Sequence, residues 1–144
     1  MNTSKPLGHE DESGFKFVQE ILNGDPTYAI NFDRLQLHPK LGYIIFEMLL
    51  CEASQSVTPN SSHPNRYWHK NSRKFISLWK ATNDLNATLY LVNYAKFGTP
   101  HSDKVSVIKV LEVDPIRGIT REQRKDFTRV DFGDWFRKLN KECK

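Results

Sequence analysis

Hydrophobic and polar positions recur with two different periods along the chain, and the changes of period divide it into helices and strands. Apolar residues three or four apart predict a helix, whereas alternating apolar and polar residues predict a strand. The pattern predicts the following elements in order: a helix that Ser13 caps and Asn23–Pro26 ends, strands over residues 27–37 and 43–51, a helix over 69–85, strands over 87–94 and 104–113, and a final helix that Thr128 caps.

This order of elements predicts an α/β fold with a mixed central sheet and helices on both of its faces. Turn-forming residues at His38–Gly42 predict a hairpin between the first two strands. The second strand is continuously apolar, which is typical of a central strand covered on both faces. A crossover helix then leads to the next strand. We expect residues 14–144 to form one domain and residues 1–13 to form a flexible lead-in.

Composition excludes several classes of protein. Of the 144 residues, 38% are hydrophobic and 12% aromatic, so the chain has enough apolar surface to form a core. No apolar run reaches the roughly 18 residues that a membrane-spanning helix needs, and the first residues are too polar for a secretory signal. Cys51 and Cys143 match no metal-binding spacing, and we expect free thiols in a cytoplasmic protein with no membrane partner.

Positive charge is concentrated in the middle of the chain. The net charge is +4, and no Asp or Glu occurs between Ala53 and Asn83. A nucleic-acid interface is expected to use the basic residues and one histidine of this window, namely Arg66, His69, Lys70, Arg73 and Lys74. DNA is a more probable partner than RNA.

The aromatic residues in the same window have two interpretations. Tyr67 and Trp68 could stack on unpaired bases, or they could anchor the start of the helix in the core. We favour the core for Trp68. The basic helix face could likewise be an ordinary solvated surface, and His63 and His69 are expected to have structural or surface roles.

Three acids occur where local structure does not favour them. Glu20 lies in the last turn of a helix, Asp33 in a predicted strand, and Glu47 in the most hydrophobic strand. A buried carboxylate without a partner is unfavourable by several kcal/mol in principle. A divalent cation held by Asp33 and Glu47 would offset that cost, since Mg²⁺ commonly binds one or two carboxylates. The alternative places Asp33 on an exposed edge and pairs Glu47 with Arg73 or Lys74.

From about Phe15, in the helix that carries Glu20, to the strand that ends at Tyr94, the chain resembles the PD-(D/E)XK, or restriction-endonuclease-like, nucleases. The resemblance implies that Asp33 and Glu47 bind Mg²⁺, with Mn²⁺ as a possible substitute, and that Glu20 assists them. Phe32 stands where the family has proline, and Leu49 where it has lysine. One strand of the family core is also missing. The resemblance therefore implies either that Lys70 or Lys74 supplies the missing amino group or that the site is inactive.

Three functional hypotheses follow. The first is a metal-dependent nuclease-like domain in which Glu20, Asp33, Glu47, Lys70 and Lys74 act in catalysis. The second is a nucleic-acid-binding module of the same fold that has lost catalysis. The third is a protein-interaction or regulatory factor of a defence system or mobile element. A homodimer or a protein partner is compatible with each of them.

Overall fold

The computed structural model of the protein describes residues 12–143. Within this range the chain forms three α-helices, five strands and one 3₁₀ turn. Their bounds, in chain order, are α1 Ser13–Leu22, β1 Arg34–His38, β2 Gly42–Leu50, the 3₁₀ turn Pro64–Tyr67, α2 Trp68–Asp84, β3 Thr88–Tyr94, β4 Lys104–Asp114, β5 Gly118–Thr128 and α3 Arg129–Glu142.

All five strands lie in one sheet in the order β1-β2-β3-β4-β5. The pair β2 and β3 is parallel, and the other three pairs are antiparallel. The β1–β2 hairpin turns tightly because the His38 ring nitrogen Nδ1 accepts hydrogen bonds from the N–H groups of Lys40 and Leu41. Gly42 closes this turn with a φ of +79°, a conformation that favours glycine. The parallel β2–β3 pair requires a crossover, which α2 provides.

The two faces of the sheet carry separate hydrophobic clusters. On one face, α2 contributes Trp68, Phe75 and Leu78 to a cluster with alternate residues of β2, β3 and β4. On the other face, Leu139 and aromatic residues of α3 pack on the remaining alternate residues. Because successive strand residues point to opposite faces, β2 supplies both clusters from neighbouring positions.

The structure confirms the α/β class, the mixed sheet and a helix on each of its two faces. The predicted cap of the last helix is also confirmed, since the Thr128 hydroxyl accepts a hydrogen bond from the Asp131 N–H. No helix within residues 12–143 combines the length and apolar character needed to cross a bilayer.

Several element predictions were wrong. The first strand begins at Arg34 rather than near Thr27, so Asp33 precedes the strand instead of lying within it. The first helix begins at Ser13 itself, with Glu12 at the N-cap position. Of the predicted lead-in, residues 1–11 lie outside the described residues, and the two that are described, Glu12 and Ser13, belong to the start of α1.

Strand β5 was missed because its sequence, GITREQRKDFT, is highly polar. It occupies the edge of the sheet, where charged side chains protect an exposed backbone from further pairing. The 3₁₀ turn holds the start of β5 in place. The Asn65 side chain donates a hydrogen bond to the Ile119 carbonyl and accepts one from the Ile119 N–H. Non-local contacts of this kind override weak local strand propensity.

Leu78→Ala tests how α2 is held on the sheet. Leu78 is fully buried in the cluster beneath α2. Its truncation should lower the free energy of unfolding by about 2–5 kcal/mol, because it leaves a cavity. Urea unfolding measures this loss. Leu85→Ala, at the exposed end of the same helix, should change it by less than about 1 kcal/mol, and equal losses for the two variants would contradict this packing.

Candidate nucleic-acid cleft

A cleft of about 520 Å³ lies between α2 and the irregular segment that precedes β1. Segment 27–31 forms one wall and the polar side of α2 forms the other. The side chains that give the cleft its chemical character are those of Tyr28, Asn31, Glu47, Lys70, Asn71, Arg73, Lys74 and Ser77. The cleft therefore combines one buried acid with three basic residues of a single helix.

Glu47 reaches the cleft because it lies between two core residues on the same face of β2. Ile45 belongs to the cluster beneath α2, and Leu49 packs against that cluster. Glu47 points the same way. Its Oε1 lies 2.8 Å from the Nζ of Lys74, and its side chain is 8% exposed, whereas that of Lys74 is 45% exposed. The acid is thus buried, but its basic partner remains accessible to solvent.

The second oxygen of Glu47 is buried and, among residues 12–143, its Oε2 makes no hydrogen bond of normal geometry. Burial raises the pKa of Glu47 above its ordinary value of 4.5, and the hydrogen bond and charge of Lys74 lower it. The negative charge of Asp33 raises this pKa again, and the Asp33 backbone N–H lowers it to a smaller extent. The net upward shift means that the site disfavours the negative charge of Glu47 unless a further cation approaches.

Asp33 lies beside Glu47 where the β1–β2 ladder ends. Its N–H donates to the Phe46 carbonyl at 3.1 Å, and its Oδ2 accepts from the Met48 N–H at 2.7 Å. Since β1 is shorter than β2, Asp33 satisfies a backbone donor that no strand residue reaches. Met48 directly follows Glu47, so this contact places Asp33 close enough for its negative charge to act on Glu47.

The basic wall of the cleft follows from helix geometry. Arg73 and Lys74 follow Lys70 by three and four residues on α2, so each of them is a neighbour of Lys70 on one side of the helix. The Arg73 guanidinium carbon lies 5.8 Å from the centre of the Tyr28 ring on the opposite wall. In the described part of the chain, no ion pair joins Lys70 or Arg73 to an acid, so both charges face the cleft or solvent.

Not every predicted site residue reaches the cleft. Asp33 does not line the cleft, since its carboxylate is directed to the Met48 N–H. Glu20 lies on α1, none of whose ten described residues is buried, and it does not line the cleft either. Arg66 and His69 are exposed near the start of α2 and also do not line it. Trp68 is buried, as we favoured, and its Nε1 donates to the Pro115 carbonyl.

One wall of the cleft was not predicted from the sequence. Residues Tyr28 and Asn31 belong to a segment that was predicted as strand because apolar and polar residues alternate in it. The structure leaves this segment irregular and exposed. The available signal was the cluster of turn-forming residues around it, which includes Pro26, Asn31 and Asp33.

The acids fit a divalent cation only as a pair. Within residues 12–143, no group of three or more His, Cys, Asp and Glu side chains is placed to hold a metal ion. Asp33 is close enough for its charge to raise the pKa of Glu47, and one buried Glu47 oxygen lacks a hydrogen-bond partner in the described chain. Mg²⁺ takes one or two carboxylates and completes its shell with water and phosphate oxygens, so Glu47 offers one such ligand and Asp33 is the nearby second acid.

Glu47→Gln should change how stability depends on pH. The folded protein binds the Glu47 proton more tightly than the unfolded chain does, since burial raises its pKa. The stability that Glu47 contributes is therefore present at acidic pH and is lost as the pH rises through the raised pKa. In metal-free buffer, urea unfolding should show Glu47→Gln gaining stability relative to wild type between pH 4 and pH 7.

Glu52→Gln is the matched control, because Glu52 is an exposed glutamate just beyond β2. Its difference from wild type should be the same at both pH values. A difference between Glu47→Gln and wild type that does not vary with pH would show that burial does not perturb Glu47.

Comparisons with known proteins identify no relative. No protein-family model matches the chain, and neither a curated protein nor a solved structure matches it. The resemblance to nucleases therefore remains one of residues and element order. The chemistry of this cleft is what bears on function.

Proposed function

We propose that this chain is a metal-dependent, nuclease-like domain with a restriction-endonuclease-like core that binds and hydrolyses a nucleic-acid phosphodiester in the cleft. The observation that carries the proposal is the buried Glu47, whose Oε2 has no partner in residues 12–143 and which lies beside a second acid. Three basic residues line the same cleft. Acids that hold a cation, next to bases that hold a phosphate, are the combination that this reaction needs.

Asp33 and Glu47 would hold Mg²⁺ or Mn²⁺. When bound, the ion supplies positive charge for the phosphate and lowers the pKa of a water molecule. Glu47 contributes an oxygen that is already desolvated and without a protein partner. Asp33 contributes a carboxylate that the backbone of β2 fixes in place through the Met48 N–H.

Lys74 would replace the lysine that the family carries two residues after its strand acid. Leu49 occupies that position and packs against the core. The Lys74 amino group lies 2.8 Å from Glu47 and is half exposed, so it reaches both the acid and the open cleft. In this position it favours the charged form of Glu47 and can donate a hydrogen bond to a phosphate oxygen.

Lys70 and Arg73 would position the nucleic-acid backbone. Both line the cleft and neither is paired with an acid in the described residues. Arg73 can bind a phosphate through two parallel hydrogen bonds, whereas Lys70 acts as a point charge. These two contacts would fix the position of the nucleic-acid backbone in the cleft and increase the affinity. They would not distinguish one base from another.

A specific observation supports a second candidate, binding without catalysis. Glu47 Oε1 is already paired with Lys74, and Asp33 Oδ2 already accepts from the Met48 N–H. Each acid thus has a structural role that does not require metal. A protein of this kind would use the same basic wall and would bind nucleic acid without cutting it.

Asp33→Ala and Glu47→Ala separate the two candidates. If the domain is a nuclease, wild type should cleave plasmid, single-stranded DNA or RNA in the presence of Mg²⁺ or Mn²⁺. Each variant should then lose activity by about 100-fold or more, because a metal ligand contributes several kcal/mol to transition-state stabilisation. Gel electrophoresis of the products measures the cleavage.

Glu52→Ala serves as the control, since Glu52 is an exposed acid outside the cleft. Cleavage that persists in both Asp33→Ala and Glu47→Ala would rule out this mechanism. Wild-type binding without cleavage under either metal would favour the second candidate.

A double variant, Lys70→Ala with Arg73→Ala, tests the basic wall under both candidates. Binding to a single-stranded oligonucleotide should weaken, and the slope of log K against log salt concentration should become shallower by about 1.4, or about 0.7 for each lost phosphate contact. Fluorescence anisotropy between 50 and 200 mM salt, the range over which such contacts lose most affinity, measures the slope. Lys80→Ala is the control, because Lys80 lies on the same helix and pairs with Asp84. An unchanged slope in the double variant would exclude these residues as phosphate contacts.

A further inference from the structure

Resting on the proposed function, we propose that the cleft admits an unpaired nucleotide and that the substrate class is single-stranded nucleic acid, with Tyr28 as the residue on which the base stacks. Tyr28 would give the cleft a preference for single strands, which the basic residues of α2 cannot provide alone. It depends on the depth of Glu47, the size of the cleft and the exposure of Tyr28.

The position of Glu47 limits what can reach it. Its side chain is 8% exposed and lies on β2, behind α2 on one side and segment 27–31 on the other. A cleft of about 520 Å³ has the volume of a small-molecule pocket, which is roughly 300–1,000 Å³. One nucleotide can lie within this volume, whereas a base-paired segment would have to keep at least one of its strands outside the cleft. A phosphate can therefore approach the acid most readily as part of a separated strand.

Tyr28 provides a stacking surface at the cleft wall. It is 79% exposed, although a large aromatic side chain normally gains from burial. The Arg73 guanidinium lies 5.8 Å from the centre of its ring, so a cation and an aromatic ring face the same space. Proteins that bind single strands combine such rings with nearby positive charge, since a base stacks while its phosphate is held.

Two amides complete a surface suited to a base edge. Asn31 lies on the same wall as Tyr28, and Asn71 lies on α2 between the basic residues. Each amide offers both a donor and an acceptor and can therefore bond the Watson–Crick edge, which is free only in an unpaired base.

The other aromatic residues near the basic helix do not offer this surface. Trp68 is buried in the core, and its Nε1 is bonded to the Pro115 carbonyl. Tyr67 is half exposed and has Arg66 and Lys70 at 5.7 and 5.9 Å from its ring centre, but it does not line the cleft that contains Glu47. Tyr28 is therefore the aromatic residue that shares the cleft with Glu47 and Arg73 among the described residues.

The test uses binding in EDTA, so that it does not depend on catalysis. Fluorescence anisotropy would compare single-stranded DNA, single-stranded RNA and a blunt DNA duplex of the same sequence and length. We expect at least one of the two single strands to bind about tenfold or more tightly than the duplex. Tyr28→Ala should reduce that affinity by about tenfold without changing duplex binding, and Tyr28→Phe should retain it, because the ring and not the hydroxyl stacks.

Phe97→Ala is the matched control. Phe97 is 85% exposed and has the Arg129 guanidinium carbon at the same 5.8 Å from its ring centre, but it lies outside the cleft. Its loss should leave single-strand affinity unchanged. Circular dichroism of each variant confirms that the fold is retained.

Equal or tighter binding of the duplex would overturn the inference, and so would an absence of binding to all three oligonucleotides. A similar loss in Tyr28→Ala and Phe97→Ala would overturn the assignment to Tyr28. The expected single-strand preference without cleavage in Mg²⁺ or Mn²⁺ would instead refute hydrolysis while leaving the single-strand site in place.

Discussion

The ion pair between Glu47 and Lys74 is the interaction on which the cleft depends. A carboxylate on a central strand is tolerated because a lysine from the crossover helix reaches one of its oxygens. The other oxygen remains buried without a partner in the described chain, which is unfavourable by about 1–3 kcal/mol. A leucine at position 47 would extend the core formed by its neighbours and avoid this cost. Glu47 therefore lowers the stability of the fold, and the proposed cation site would give this acid a use that offsets the cost.

The sheet topology determines which side of the protein can carry such a site. On the face covered by α3, the aromatic side chains of Phe46, Tyr90, Trp135 and Phe136 are in contact and fill the space between helix and sheet. On the opposite face, α2 covers the middle strands but leaves the end of β2 open towards segment 27–31. Consecutive side chains of β2 therefore point in turn into the closed core beneath α3 and towards the face that carries the open cleft, because the side chains of a strand alternate between its two faces.

The sequence was sufficient to predict the site residues that lie on regular strands and helices. The apolar run of β2 and the helical spacing of α2 predicted that Glu47 and Lys74 could meet, and their pairing was one of the alternatives considered. Asp33 was expected next to Glu47 but within a strand, and it lies instead just before β1. The wall around Tyr28 was not predicted, because irregular backbone is shaped by non-local contacts that leave no periodic signal. The edge strand β5 was missed because its polar sequence carries little strand propensity and its start is held by non-local contacts from Asn65.

The half-exposed position of Lys74 explains how one residue could serve both structure and chemistry. A lysine at position 49 would replace a side chain that packs against the core, and its long stem would have to turn away from that core. Lys74 approaches from the helix instead, with its stem along the cleft and its amino group on Glu47. Because its charge remains accessible to water, it can shift from the carboxylate towards a bound phosphate at little desolvation cost. A cation arriving at Glu47 would then replace the charge that Lys74 supplies in the free protein.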